Sequence, residues 1–294
     1  VSAPPGFAPD LLRGRVALVT AAGGAICGAT ARLLAEAGAD LVLTDAHAGR
    51  LTEVAAQARA AGARVATVAG DLTDPATVAE AAGAAEREFG GVDVLVNGLG
   101  EHLASAAPFE ETTEDRWQAL YEVNLLHVLR TTQAVVPTMK ARGWGRIVNF
   151  SSVEGIRGAP HLAVYAAFKR AVDGFTRSLA VELAPHGIGV TALAVDKTRA
   201  HQVGHYALPE EYLHLVPSWI PAGHYAEPEE VARIAVFLAS PLNSWIVGET
   251  IAADGGTLAA GGWFRTPARW TNQPLLTQYL EAPERNAGRP PSLR

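Results

Sequence analysis

Short apolar runs alternate along this chain with longer stretches of helical period. Val16 to Thr20, Leu41 to Thr44, Val65 to Ala69 and Val92 to Val96 are such runs, short enough to be strands buried on both faces. Between them lie strong helix formers: Ala29 to Ala37 closed by Gly38, Leu51 to Ala61 stopped by Gly62, and Pro75 to Phe89. A following glycine is the usual helix stop. Pro75 opens its helix at a position where a missing N–H costs nothing.

The second half keeps the rhythm. Trp117 to Lys140 predicts a long helix, bent near its end by Pro137. Arg146 to Ser151 reads as a strand, Ala163 to Pro185 as a helix, Ile188 to Val195 as a strand and Pro228 to Ala239 as a helix. Thr250 to Ala253 is a short seventh strand before Asp254-Gly255-Gly256. Strands alternating with helices imply βαβ units and a parallel sheet. Right-handed crossovers then favour a doubly wound α/β architecture of about seven strands. Residues 1–262 read as one domain. Two stretches break the rhythm: 199–226, rich in His, Tyr, Trp and Pro, predicts a substrate lid, and 263–294 predicts a C-terminal extension.

Composition narrows the function. A chain of 294 residues, 49% apolar, can bury one large core. The net charge of −6 and the lack of a basic tract argue against a nucleic-acid partner. One cysteine, Cys27, excludes an intrachain disulfide and a multi-cysteine zinc site. No apolar run reaches the roughly 18 residues of a membrane span. Residues 1–10 hold three prolines and a glycine and lack the pattern of a signal peptide. The expected compartment is the cytoplasm.

The turn after the first strand, Thr20-Ala21-Ala22-Gly23-Gly24-Ala25-Ile26-Cys27-Gly28, is a strand–glycine turn–helix arrangement. Backbone N–H groups at such a helix start hold a pyrophosphate; Thr20, Ala22, Gly23, Ala25 and Ile26 are the candidates. A packing turn without a ligand would look similar. Asp45 ends the second strand about 20 residues on, where an acid binds the adenosine ribose hydroxyls and repels a 2′-phosphate. No Arg or Lys directly follows it, so NAD is expected over NADP. Asp71 and Leu72 are placed to meet the adenine. Asn97-Gly98-Leu99-Gly100 lets backbone approach the cofactor; Asn97 and Gly98 join the candidates.

Tyr165 and Lys169 are four apart on a predicted helix and share a face. A nearby ammonium is expected to pull the phenol below its usual pKa of roughly 10. Ser152 ends the fifth strand, thirteen residues earlier. Asn124 sits mid-helix, where Asn is a poor helix former, and is expected to distort the helix and hold a water.

Together these pieces resemble the short-chain dehydrogenase/reductase family over about Leu11 to Gly262. The resemblance rests on the N-x-x-G run at 97–100, Val123-Asn124-Leu125, Ile147 to Ser152, Tyr165 to Lys169, and Pro228 to Ala232 leading to Asp254-Gly255-Gly256. It implies a Rossmann-type fold and catalytic roles for Asn124, Ser152, Tyr165 and Lys169. Tyr165 would be the general acid/base. Lys169 would lower its pKa and bond the nicotinamide ribose. Ser152 would polarise the substrate oxygen, and Asn124 would anchor a relay water. Two departures stand out. The family turn T-G-x-x-x-G-x-G puts Ala21, Ala25 and Cys27 at its glycine positions. After strand six, Val195-Asp196-Lys197-Thr198 replaces P-G-x-x-x-T, with Val195 and Thr198 left as cofactor candidates and Asp196 and Lys197 as new charges or solvated loop residues.

The loops around the expected pocket carry Glu101, His102, Glu154, Arg157 and His161. With His201, His205, His214 and His224 they predict a small, oxygen-rich hydroxyl or carbonyl substrate; His102, Glu154, His161 and His205 are the contact candidates. His201 and His205 stand at i,i+4, but nothing completes a metal site. The resemblance implies a homodimer or homotetramer built on the long helices; the tail, which carries Trp263, Phe264 and Trp270 and cannot form a core alone, is expected to pack on a neighbouring subunit. An NAD-dependent alcohol dehydrogenase or carbonyl reductase is the first function. A lyase, cyclase, isomerase or ligand-binding protein on the same scaffold is the alternative, prompted by the altered turn.

Overall fold

The computed structural model describes residues 6–200, 210–266 and 269–272. Its centre is a seven-stranded parallel sheet in the order β3-β2-β1-β4-β5-β6-β7. The strands are β1 Val16–Thr20, β2 Asp40–Asp45, β3 Val65–Ala69, β4 Val94–Asn97, β5 Gly145–Ser152, β6 Ile188–Val195 and β7 Thr250–Ala253. The order reverses between β1 and β4, and the carboxyl ends of those strands open a crevice.

Strand alternation divides the core. Ala17 and Val19 face one layer, with helices α1 (Ala25–Glu36), α2 (Ala48–Ala60) and α7 (Pro228–Ala239). Val16 and Leu18 face the other, with α3 (Pro75–Phe89), α5 (His127–Arg142) and α6 (Ala163–Leu183). In the first layer α1 and α7 present small side chains, Ala31 and Ala35 on α1 and Ala232, Ala235 and Ala239 on α7, so these two helices approach closely, while Leu34, Leu41 and Leu193 fill the rest. In the second layer Leu95, Met139, Ile147 and Leu183 are fully buried. Truncating one of these to Ala costs about 2–5 kcal/mol.

Local signals set the helix ends. Asp74 caps α3 by accepting the Ala76 N–H at 2.8 Å, and Gly90 closes it in the left-handed conformation. The predicted helix at 117–140 differs from expectation. It starts earlier, as α4 (Glu114–Tyr121), and runs through a π-turn at Glu122–Leu126 into α5, which holds Pro137.

Past α8 (Thr257–Ala260), Phe264–Arg265 and Trp270–Thr271 pair antiparallel as β8 and β9. β8 lies against the 3-10 helix Glu210–Ser218 of the same chain. The extension therefore begins by packing on the 3-10 helix of its own chain. His201, His205 and Tyr206 of the predicted lid, and the tail from 273, lie outside the described residues. No described helix is long and apolar enough to cross a membrane.

Candidate active site

The crevice holds a cleft of about 270 Å³ lined by Ile26, Gly98, Gly100, His102, Ser152, Glu154, Tyr165, Lys169, Val195, Asp196, Lys197 and Thr198, among others. Five separate chain segments meet there.

The turn after β1 keeps the shape of a glycine turn without its first glycine. Ala21 has φ +51°, a left-handed conformation that costs an L-residue roughly 1–2 kcal/mol. The strain is held by neighbours: Ala22 N–H bonds Thr44 O at 3.0 Å, and Gly24 N–H bonds Ala21 O at 2.9 Å. Gly23 donates to Asp45 Oδ2 at 2.9 Å, and a Cβ on Gly23 would sit 2.9 Å from that carboxylate. No side chain caps the start of α1. The N–H groups of its first turn, from Ala25 to Cys27, precede the first intrahelical donor and form a cradle for an anion. The residues present thus fit a dinucleotide despite Ala21, Ala25 and Cys27.

Cys27 is buried, and burial raises its thiol pKa to about 12. Its Sγ packs against the Cα of Gly98, where any Cβ would collide with it. Gly100 likewise gives way to Lys169 Nζ. Both glycines are set by close approach rather than by turn geometry.

Several predicted cofactor residues are spent on the protein. Thr20 Oγ1 donates to Val96 O at 3.3 Å and accepts Gly98 N–H at 2.8 Å, tying β1 to β4. Asn97 is fully buried: its amide bonds Asn149 at 2.8 Å and Thr132 at 3.2 Å, and its oxygen accepts from Thr131 at 2.6 Å. Its side chain faces away from the cleft. Leu72 is buried, while Asp71 accepts Thr73 N–H at 2.8 Å in a local turn; neither lines the cleft.

Asn124 carries the π-turn. Its Nδ2 donates to Leu120 O at 3.0 Å, the carbonyl four residues back that an α-helix reserves for the Asn124 N–H. Nδ2 also donates to Glu101 O at 2.8 Å, and Oδ1 accepts Glu101 N–H at 3.1 Å. Helix distortion was legible from the sequence; the clamp on Glu101 was not.

Tyr165 is half-buried as a residue, with its phenol end deep in the protein. Burial raises its pKa to about 12; a hydrogen bond with Ser152 opposes this, and the carboxylates of Glu154 and Glu101 reinforce it. This corrects the expected depression. Lys169 Nζ lies 5.8 Å from the Tyr165 ring centroid and donates instead to Phe150 O at 3.2 Å. Burial lowers Lys169 to about 8 against the opposing pull of Asp173 and Cys27.

The substrate candidates separate. His102 lies edge-on to Tyr165 at 6.4 Å, and its Nδ1 accepts the Ala104 N–H at 3.1 Å. Glu154 lines the cleft and pairs with Arg157 at 2.9 Å. His161 does not join them. It sits in a left-handed turn (φ +65°) and lines a separate small cleft on the Trp117 side of Tyr165. His224 pairs with Glu230 at 3.1 Å beside a second cleft. His205 lies outside the described residues. Among the described residues, no three His, Cys, Asp or Glu side chains are grouped to hold a metal.

The charges after β6 are built in. Asp196 has only 5% of its side chain exposed; it pairs with Arg157 at 3.3 Å and accepts from Thr257 Oγ1 at 2.6 Å. It therefore brackets the loops after β5, β6 and β7. Thr198 bridges to Ala226 in parallel fashion through Lys197 O and Arg199 N. That pattern leaves Thr198's own N–H and C=O on the opposite edge.

Comparison with known proteins agrees with this geometry. The family model described as enoyl-(acyl carrier protein) reductase matches residues 21–257. The chain is 40% identical over 245 residues to cis-4-hydroxycyclohexanecarboxylate dehydrogenase of Sinomonas cyclohexanicum, covering 83% of this chain and 97% of that one. It is 36% identical over 245 residues to 3-oxoacyl-[acyl-carrier-protein] reductase of Thermotoga maritima, covering 83% and 98%. A Beutenbergia cavernae structure described as an NAD(P)-dependent gluconate 5-dehydrogenase, with NADP bound at low occupancy, superimposes with TM-score 0.78 at 37% identity over 86% of this chain and 100% of that one. The chain belongs to the short-chain dehydrogenase/reductase family, a family of oxidoreductases that use nicotinamide cofactors.

Proposed function

We propose that this enzyme moves a hydride between NAD(H) and a secondary alcohol or ketone of a small polar substrate, with Tyr165 as general acid/base. One observation carries the reading: Ser152, Tyr165 and Lys169 line one cleft, with the Ser152 hydroxyl near enough to the Tyr165 phenol to oppose the rise in its pKa. A substrate oxygen placed between them meets two donors.

The nicotinamide ring, when bound, supplies or accepts the hydride. The chain does the rest. Ala25 and Ile26 offer backbone N–H groups to the pyrophosphate, Asp45 meets the adenosine ribose, and Val195 and Thr198 flank the nicotinamide end. Ser152 orients the substrate oxygen. Tyr165, neutral at working pH, gives its proton to that oxygen during reduction and takes it back during oxidation. Asn124 holds the Glu101 loop and the π-turn in place rather than touching substrate. His102 and Glu154 line the substrate end and favour partners with hydroxyl groups.

NAD is favoured because Asp45 offers an anion where NADP carries its 2′-phosphate. A dimer or tetramer formed through α4–α6 completes the proposal, supported by the 72% exposed Val181 on α6; light scattering on the eluting protein tests it. The catalytic test is a panel of polyols, sugars, cyclic alcohols and hydroxy acids followed by NADH absorbance. Tyr165→Phe is expected to lower kcat by about 100- to 10,000-fold and to leave NAD binding intact. Retained turnover in that variant removes Tyr165 from the role.

A further inference from the structure

Glu154 stands two residues past Ser152, on the 3-10 turn Val153–Gly155. The turn is fixed at both ends. Ser152 Oγ accepts the Glu154 N–H at 3.2 Å, and Gly155 lets the turn close onto α6, where a Cβ would lie 2.9 Å from Arg170 N. From this turn Glu154 lines the cleft together with Ser152 and Tyr165.

Three further residues hold its carboxylate. Arg157 grips both oxygens, Nη2 on Oε1 at 2.9 Å and Nε on Oε2 at 3.3 Å. The same Nη2 meets Asp196 at 3.3 Å, and Thr257 Oγ1 donates to the Asp196 carboxylate at 2.6 Å. The bonds run from the loop after β7, through the loop after β6, to the wall of the cleft. A bidentate fork fixes a carboxylate in direction as well as in place. Only 21% of the Glu154 side chain is exposed, so solvent screens it incompletely.

The charges show what this wall can bind. One guanidinium faces two carboxylates, so the network stays net negative. The Glu154 charge acts on the Tyr165 phenol, which places it at the reacting end. A carboxylate has about four acceptor sites, and Arg157 takes two of them. What Glu154 can add is a hydroxyl donor. Of the cations lining the cleft, Lys169 is buried and donates to Phe150 O, and Lys197 stands where this cleft meets two others.

We propose that Glu154, aimed by Arg157, is the specificity-determining residue of the cleft, and that the substrate is a neutral diol or polyol whose second hydroxyl donates to this carboxylate. Arg157 is a positioning residue that acts through Glu154. A substrate with its own carboxylate near the reacting hydroxyl meets a like charge instead. The inference rests on the redox reading above.

The test compares cyclohexanol, the isomeric cyclohexanediols and the matching hydroxycyclohexanecarboxylates in the parent protein, Glu154→Gln and Arg157→Lys. In the parent protein the best diol is expected to exceed both cyclohexanol and the acids in kcat/KM by about tenfold. Glu154→Gln keeps the shape and loses the charge; it should remove the diol's advantage and raise the acids about tenfold. Arg157→Lys keeps a cation and loses the fork. It should raise KM for the diol about fivefold, with its kcat and the cyclohexanol kinetics within about twofold. Acids or cyclohexanol used as well as the best diol, or a Glu154→Gln variant with the parent's preference, overturns the assignment. An Arg157→Lys variant that slows cyclohexanol as much as the diol overturns the positioning role. Ligand-observed NMR titrations with the same compounds need no turnover and separate the two readings. No oxidation with NAD or NADP, beside a binding preference for diols that Glu154→Gln abolishes, removes the redox reading and supports the site. Equal binding of diols and acids to the parent protein removes the site.

Discussion

The Asp45 carboxylate accepts the Gly23 N–H at 2.9 Å and the His47 N–H at 2.7 Å, so one acid braces the glycine turn against the end of β2. Asp45 is therefore a structural acceptor as well as the charge proposed to select the ribose. Asp45→Asn is expected to weaken NAD binding about tenfold relative to NADP, a change of about 1.4 kcal/mol. Replacing the carboxylate by an amide also weakens two charge-assisted hydrogen bonds, to Gly23 and His47, at a cost of about 1–3 kcal/mol of stability. Paired calorimetric titrations with NAD and NADP check the first effect and thermal unfolding the second. An unchanged NAD to NADP ratio would remove Asp45 from cofactor selection.

Ala21 stands in a left-handed turn with φ +51°. Ala21→Gly relieves that strain and adds back part of the cost through a more flexible unfolded chain. The net expectation is a gain of about 0.5–1 kcal/mol, or a few degrees in Tm. A lower Tm in differential scanning calorimetry would show that the turn is relaxed.

Gly98 and Cys27 are expected to behave as one unit. Gly98→Ala drives a methyl into Cys27 Sγ and should cost about 1–3 kcal/mol, as overpacking does. Adding Cys27→Ala opens that space and should return part of the loss. Denaturant unfolding of both single variants and the double variant gives the coupling directly. Strict additivity would mean that the two residues do not touch.

Lys169 gives a pH signature in the ligand-free protein. Its pKa is about 8 folded against 10.5 unfolded, so between these values the unfolded chain binds more protons and stability rises with pH. Cys27, at about 12 against 9.0, works in the opposite sense above pH 9. Tyr165 does so above pH 10, at about 12 against 10.0. The clean window is therefore pH 8 to 9. Urea midpoints should climb across it in the wild type and stay flat in Lys169→Met. Parallel slopes would place Lys169 near its ordinary pKa.

Much of this molecule is legible in its sequence. Periodicity is a property of one element at a time. It set β3, β6, β7, α3 and α7 at their observed limits and ordered Ser152, Tyr165 and Lys169 along β5 and α6. The mid-helix Asn124 likewise announced a distortion. What the tertiary structure alone decided depends on neighbours distant along the chain. Burial beside Glu154 and Glu101 raises the Tyr165 phenol, although Lys169 lies one turn away. His161 and the side chain of Asn97 turn from the cleft because the φ of one residue and a buried network around the other set their direction. Asp196, which read equally well as a solvated loop residue, becomes a buried bracket only when β5, β6 and β7 end side by side. A sequence specifies which groups a chain carries and how they repeat. Their desolvation, and the partners that meet them, arise only from the fold.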